Sequence, residues 1–198
     1  MMAAGVAEKL NALHALLINW NAIKGLVSRQ DMFELWSRHV EDSLQAVPLI
    51  DPGVTRAIDI GSGAGFPGLI IAIAGGVHVD LFESNKHKAA FLREAIRITG
   101  APAAVQAMRV EDSRISPAPL ITARGVSALP LLLQSAFPML AEGGCCLFHK
   151  GAGFEAEVTA ARRTWDMRVE RIPSRTGDGA VILRLSDVRR RSFRAPNG

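Results

Sequence analysis

The chain has 198 residues, enough for one domain whose core needs no disulfides or metals to hold it. Its 48% hydrophobic and 21% charged residues exclude a disordered chain, and no stretch approaches the roughly 18 consecutive apolar residues of a membrane span. The net charge of +4 is uneven: residues 1–100 carry 9 basic and 10 acidic side chains, residues 101–198 carry 14 and 9, and 18 of the basic residues are arginine. An arginine-rich half fits a nucleic-acid partner, and it fits equally well a solvated surface in an arginine-biased sequence. Glu8 and Lys9 stand where a secretory leader would need an apolar run. Cys145 and Cys146 are adjacent, too few for a disulfide framework and too close for zinc. A reducing, cytoplasmic setting is expected.

Residues 6–18 place Val6, Leu10, Leu13, Leu17 and Ile18 on one face of a helix. A second helical region is expected over 31–48, with Asp31 as N-cap and Glu34 completing a capping box, ended by Pro48 and Asp51-Pro52-Gly53. From Arg56 the pattern changes to short apolar runs alternating with longer helical ones. Strands are predicted at 56–60, 77–82, 103–108, 120–123, 144–149, 167–172 and 180–185, and helices at 67–74, 86–99, 129–140 and 154–164. Such alternation predicts an α/β fold, a doubly wound parallel sheet with helices on both faces. The last two strands are too close for a crossover helix and should form an antiparallel hairpin. One domain is expected over 1–198: a helical cap (1–53), the sheet (54–188) and a basic tail (189–198). Cys145 and Cys146, inside a predicted strand, read as buried core. Arg189, Arg190, Arg191 and Arg194 read as a mobile end or a phosphate contact.

The sharpest feature is Asp59-Ile60-Gly61-Ser62-Gly63-Ala64-Gly65-Phe66-Pro67-Gly68, which follows the first strand and opens a helix. Gly61, Gly63 and Gly65 allow positive φ and a ligand against the backbone. A dinucleotide fingerprint would need a third glycine at position 66, which is Phe, and no Lys-Ser/Thr follows as in a phosphate-binding loop. Asp59 would repel a pyrophosphate and suits a ligand carrying an ammonium group; S-adenosylmethionine carries an ammonium and a sulfonium. Glu83, 22 residues after Gly61, stands where an acid accepts from ribose hydroxyls. Glu111-Asp112, after the third strand, either meets an adenine amino group or forms an exposed turn.

With these residues in place, the chain resembles the RsmG family, also called glucose-inhibited division protein B. The likeness rests on Trp20-Asn21, Arg38-His39-Val40-Glu41-Asp42-Ser43, the glycine loop, Glu83-Ser84-Asn85-Lys86-His87-Lys88 with Phe91-Leu92-Arg93, Arg109-Val110-Glu111, Ala123-Arg124-Gly125-Val126 and Lys150-Gly151. The loop alone says methyltransferase, and the Arg-His block ahead of it is far more specific. The resemblance implies a Rossmann-like class I methyltransferase fold, in the cytoplasm, that methylates guanine N7 of bacterial 16S ribosomal RNA in the 530 loop. It implies S-adenosylmethionine as cofactor and the small ribosomal subunit as the setting, with no obligate protein partner. By the same resemblance Gly61 and Phe66 hold the cofactor, Val110 and Glu111 sit at its adenine, and Arg124 stands at the cofactor and at the mouth of the active site. The chain departs from the family at Gly25, where an asparagine is usual, and at Pro119-Leu120-Ile121, where an acid often opens the strand.

Guanine N7 carries a free lone pair, so its methylation needs positioning and desolvation more than a base. The sequence agrees: it lacks an Asp/Asn-Pro-Pro-aromatic motif for amino groups and a Pro-Cys nucleophile for cytosine. Arg38, His39, Asp42 and Ser43 share a predicted helix, with Arg38 and Asp42 one turn apart as an ion pair; with Arg124 they are the positioning candidates. Arg38 and Lys150 are the candidate RNA contacts, Lys150 being equally a solvated strand-end lysine. His14, His78, His87 and His149 show no metal-ligand spacing. The alternatives are a methyltransferase for a small molecule or protein, a nicotinamide oxidoreductase, and a ribosome-binding module without turnover.

Overall fold

A computed structural model describes residues 4–24, 26 and 36–191. Its strands are β1 (Arg56–Ile60), β2 (His78–Phe82), β3 (Ala103–Gln106), β4 (Ala118–Arg124), β5 (Leu140–Lys150), β6 (Trp165–Pro173) and β7 (Val181–Arg190). They form one sheet in the order β3-β2-β1-β4-β5-β7-β6. The first five are parallel; β7 runs antiparallel between β5 and β6, as the short β6–β7 connection requires. The winding reverses between β1 and β4, and in such sheets the crevice beyond the carboxyl ends at that point is the place for a ligand.

The helices are α1 (Ala4–Lys24), α2 (Gly68–Gly75), α3 (Lys86–Thr99), α4 (Leu129–Ala136) and α5 (Phe154–Ala161). Successive strand residues point to opposite faces. Ala57, Val79 and Leu81 therefore join one core with α1, α2 and α3, while Ile58, Ile60 and Phe82 join another with α4 and α5. In α1, Leu10, Leu13 and Leu17 are buried as expected, but Ile18 is 43% exposed and lies off the buried stripe. The helix α3 has the predicted bounds because both ends are coded locally. Asn85 accepts hydrogen bonds from the amides of His87 and Lys88, and Gly100 closes the helix at φ 58°. No helix among the described residues is long and apolar enough to cross a membrane.

The second helical region departs from a plain helix. Asp31 and Glu34, the expected capping box, lie outside the described residues. Trp36–Glu41 is π-helical, running into one α-turn at Asp42–Leu44 and a 3-10 turn at Val47–Leu49. Other bounds move as well: β3 ends at 106 rather than 108, β4 spans 118–124 rather than 120–123, and β6 spans 165–173 rather than 167–172. Pro138 cannot continue a helix, so α4 gives way at Phe137–Met139 and β5 begins at Leu140 rather than 144. The helix α5 ends at Ala161, short of 164. Strand β7 takes in Arg189 and Arg190, assigned above to the tail, because they pair with Asp166 and Trp165 of β6. The Arg190 guanidinium also lies over the Trp165 ring, 5.4 Å from its centre; Arg194 is outside the described residues. Cys145 and Cys146 are buried, unbridged core residues of β5, and burial pushes both thiols up.

Candidate active site

The glycine loop leaves β1 at the switch point. Gly61, Gly63 and Gly65 have φ of 66°, 57° and 97°, a region that side chains rarely adopt. Space adds a second constraint: a Cβ on Gly61 would come within 2.7 Å of a Val126 methyl, and one on Gly68 within 2.5 Å of the Asp59 side chain. Gly65 lies against Leu69 and Leu92, where it lets the loop close onto α2 and α3. Glu83, at the end of β2, ties the loop to the next crossover. One carboxylate oxygen accepts from the Gly63 amide at 2.9 Å and the other from the Asn85 amide at 2.7 Å.

Beside this loop lies a cavity of about 420 Å³, lined among others by Gly61, Glu83, Met108, Val110, Glu111 and Val126. Three of the four large apolar side chains exposed in the described chain, Met108, Val126 and Leu131, line it. A single acid at one strand end and an apolar wall are what an adenosine needs, a diol acceptor and a flat surface for the base. Glu111 accepts from the Ser135 hydroxyl at 2.5 Å and meets Arg109 at 3.3 Å, and these partners hold its carboxyl below the usual range. The residues present therefore fit S-adenosylmethionine.

Not every expected cofactor residue faces that cavity. Gly61, Glu83, Val110 and Glu111 do. Asp59 does not: it is fully buried beneath the loop, where it accepts from the Thr122 hydroxyl at 2.6 Å. Its part is to shape the turn rather than to meet an ammonium group directly. The Gly63 amide is taken by Glu83, and Phe66 is buried with its ring stacked 5.1 Å from that of His39, so both act on the shape of the loop.

Burial pushes the Asp59 carboxyl up to about 6, against the hydrogen bonds from Thr122 and Ser62. The folded chain therefore keeps a proton that the unfolded chain gives up near pH 4, and stability falls as pH rises from about 4 to about 6. Asp59→Asn is expected to remove that slope and to gain on the order of 3 kcal/mol on the wild type above pH 6. Urea unfolding of both proteins from pH 4 to 7 checks it, and parallel curves would count against a buried charge.

A second cavity, about 460 Å³, opens at the carboxyl ends of β4 and β5. Val126 and Ser127 line both cavities and are the wall between them. Here the structure gathers residues far apart in the chain. Arg124 ends β4, with one guanidinium nitrogen 2.6 Å from His39 Nδ1 and another 3.3 Å from an Asp42 carboxylate oxygen. The other Asp42 oxygen accepts from the Ser174 hydroxyl at 2.8 Å, and the Ser43 hydroxyl donates to the His39 carbonyl at 2.6 Å. His149, beside Arg124 in the β4–β5 register, has Nε2 3.1 Å from the Asp42 carbonyl. A carbonyl only accepts, so this nitrogen carries the proton, and burial, the largest effect on the ring, lowers its proton affinity.

Four of the positioning candidates, Arg124, His39, Asp42 and Ser43, thus belong to one network, and Arg38 lines the same cavity. The partners of Asp42 differ from the expectation. They are Arg124, His149 and Ser174 on other elements, where the sequence reading had paired it with Arg38 one turn back. Lys150 lines the cavity too, but its ammonium is held by Glu157 at 2.6 Å and donates to the Ser127 carbonyl at 2.8 Å. Glu157 also accepts from the Leu129 amide at 2.7 Å. Lys150 therefore anchors the wall between the cavities and is not poised for a phosphate. Sequence reasoning missed His149 and Ser174. His149 had a signal, its place one residue before Lys150-Gly151; Ser174, in a loop without pattern, had none.

This sheet, with β7 inserted antiparallel and a glycine loop at the switch point, is that of a Rossmann-like methyltransferase. Among solved structures it is similar to TYW2 from M. jannaschii in complex with AdoMet. That match has a TM-score of 0.58 at 15% identity and covers 77% of this chain and 76% of that one. The family model "rRNA small subunit methyltransferase G" matches residues 6–178. Two proteins named ribosomal RNA small subunit methyltransferase G are close relatives. One, from Acidiphilium cryptum, is 50% identical over 91% of this chain and 85% of its own length. The other, from Rhodospirillum centenum, is 47% identical over 91% and 84%. The chain belongs to the rRNA small subunit methyltransferase G family.

Proposed function

We propose that the protein uses S-adenosylmethionine to methylate guanine N7 at one site of 16S ribosomal RNA, within the small ribosomal subunit, in the cytoplasm. The observation that carries this reading is the pair of cavities sharing the Val126–Ser127 wall, one fitted to an adenosine and the other lined by Arg38, Arg124 and His149. The family relatives, named for the small-subunit RNA, support the substrate.

When bound, the cofactor supplies a methyl group activated on a sulfonium. The chain's own residues then have two tasks. The first is to hold the base in line, which converts a bimolecular encounter into a fixed approach. Arg124, pinned by His39 and Asp42, offers guanidinium hydrogens to the guanine edge, and the stack of His39 on the buried Phe66 holds the Arg-His block against the cofactor loop. The second is to manage charge. The purine gains positive charge as the new N–C bond forms, and a bare guanidinium beside it would oppose that change. Asp42, 3.3 Å from Arg124, offsets it. No carboxylate here is set as a base: Asp42 is held by Arg124 and Ser174, and Glu157 by Lys150 and an amide. That suits an acceptor nitrogen with no proton to lose.

Labelled S-adenosylmethionine incubated with small subunits from a strain lacking this enzyme tests the substrate. The label is expected in material digested by ribonuclease and resistant to protease, with transfer falling as salt rises. Label in protein, or none while the cofactor binds, would overturn the RNA reading.

A further inference from the structure

We infer that the loop joining β6 to β7, together with Arg38, is a binding site for the RNA backbone: Arg38 and Arg175 grip a phosphodiester next to the target guanosine. This rests on the RNA reading above and assigns where the strand lies outside the pocket that takes the base.

The loop is built rather than loose. The Ser174 amide donates to the Ala180 carbonyl at 2.9 Å, and the Ala180 amide to the Gly177 carbonyl at 3.1 Å. Two further bonds moor it to the segment that carries the Arg-His block. The Ser174 hydroxyl donates to Asp42 at 2.8 Å, and the Arg175 amide to the Gln45 side-chain oxygen at 2.9 Å. The same carboxylate that positions Arg124 therefore positions this loop.

Ser174, Thr176 and Gly177 form part of the wall of the second cavity, and on their outer side lies a further recess of about 580 Å³. It is lined by Arg38, Ser174, Arg175, Thr176, Gly177 and Asp178, with no apolar side chain. Arg38, Ser174, Thr176 and Gly177 line both spaces, so the recess opens beside the second cavity. A base seated in the inner cavity leaves its sugar and phosphates at that opening, and phosphate contacts set the register of a bound strand. The hydroxyls are already committed. The single proton of Ser174 goes to Asp42, so Thr176, 3.2 Å away, donates to Ser174. Two guanidinium groups, those of Arg38 and Arg175, line the recess and bring positive charge to it. Arg175 is exposed and makes no ion pair among the described residues, whereas Arg171, Arg184, Arg189 and Arg191 each meet a carboxylate. Asp178 is the one acid of the recess, and it opposes an anion there.

The test is steady-state methyl transfer to small subunits over a series of salt concentrations. Arg175→Ala is expected to raise KM roughly tenfold and to make the salt dependence shallower by about one in the log–log slope, the signature of one lost phosphate contact. Its kcat and cofactor affinity should stay at wild-type values. Asp178→Asn should move KM the other way, and Arg97→Ala, on the far end of α3, should change nothing. Arg175→Ala with wild-type KM and slope would overturn the backbone site and leave the enzyme's assignment standing. A wild-type protein that methylates no RNA would overturn the assignment and this site together.

Discussion

Replacing Asp42 with Ala is expected to cost about 3 kcal/mol of stability and to lower methyl transfer by about two orders of magnitude. The Asp42 side chain is 12% exposed and ties three parts of the chain: Arg124 at the end of β4, Ser174 in the β6–β7 loop, and its own helical turn, whose carbonyl holds His149. Removing one member of a buried pair leaves the other charge uncompensated, which costs about 3–5 kcal/mol when both are fully enclosed. The Arg124 side chain keeps 21% exposure and so recovers some hydration, which places the expected loss at the lower end. The effect on transfer has a separate cause: a guanidinium freed from Asp42 no longer has one position and carries its full charge toward a purine becoming positive. Asp42→Asn keeps the shape and one acceptor and should cost less in stability than in rate. Urea unfolding and single-turnover transfer on the same samples check both halves; a loss below 1 kcal/mol in Asp42→Ala would show that the network is not holding the fold.

The second large effect is expected at Glu83. Each oxygen accepts one backbone amide and keeps a further lone pair, and the residue lines the first cavity. Glu83→Ala takes the acceptor from the ribose hydroxyls and releases Gly63, loosening the loop whose φ of 57° at that residue leaves little choice of path. Hydrogen bonds to a charged group contribute about 1.5–3 kcal/mol each, so roughly a hundredfold weaker cofactor binding is expected. Glu83→Gln keeps one acceptor and should lose roughly tenfold. Calorimetric titration with S-adenosylmethionine measures both, and an affinity within threefold of wild type in Glu83→Ala would remove Glu83 from the cofactor site.

How much of this could be read from the chain depends on the range of the interaction. The strand β1 and the helix α3 lie where their patterns put them, because alternation, the Asn85 cap and the Gly100 stop are all local. The cofactor loop was legible for the same reason: three glycines, a strand before and a helix after are adjacent in sequence. The second cavity was not. Asp42 meets Ser174 across 132 positions and His39 meets Arg124 across 85, and no periodicity carries such a pairing. Arg38-His39 and Asp42-Ser43 were singled out as a block, yet besides the Ser43–His39 hydrogen bond His39 and Asp42 meet Arg124 and Ser174 on other elements. Asp59 shows the opposite error. An acid beside a glycine loop looks like a ligand contact, and only the packing of Gly68 on its side chain reveals that it is enclosed. Lys150 looked free because Glu157, on the next helix, is invisible as a partner until β5 and α5 are set side by side.

The proposed acceptor atom is a purine nitrogen, which needs no base. The most direct measurement is to let the protein act on small subunits from a strain lacking it, digest the 16S RNA to nucleosides and identify the methylated one by mass spectrometry. 7-Methylguanosine is expected at one site, formed about a hundredfold more slowly by the Asp42→Ala variant under the same conditions. A methyl group on an exocyclic amine or on carbon would contradict it, since either acceptor must lose a proton and the carboxylates of the second cavity, Asp42 and Glu157, are already held by Arg124, Ser174, Lys150 and an amide.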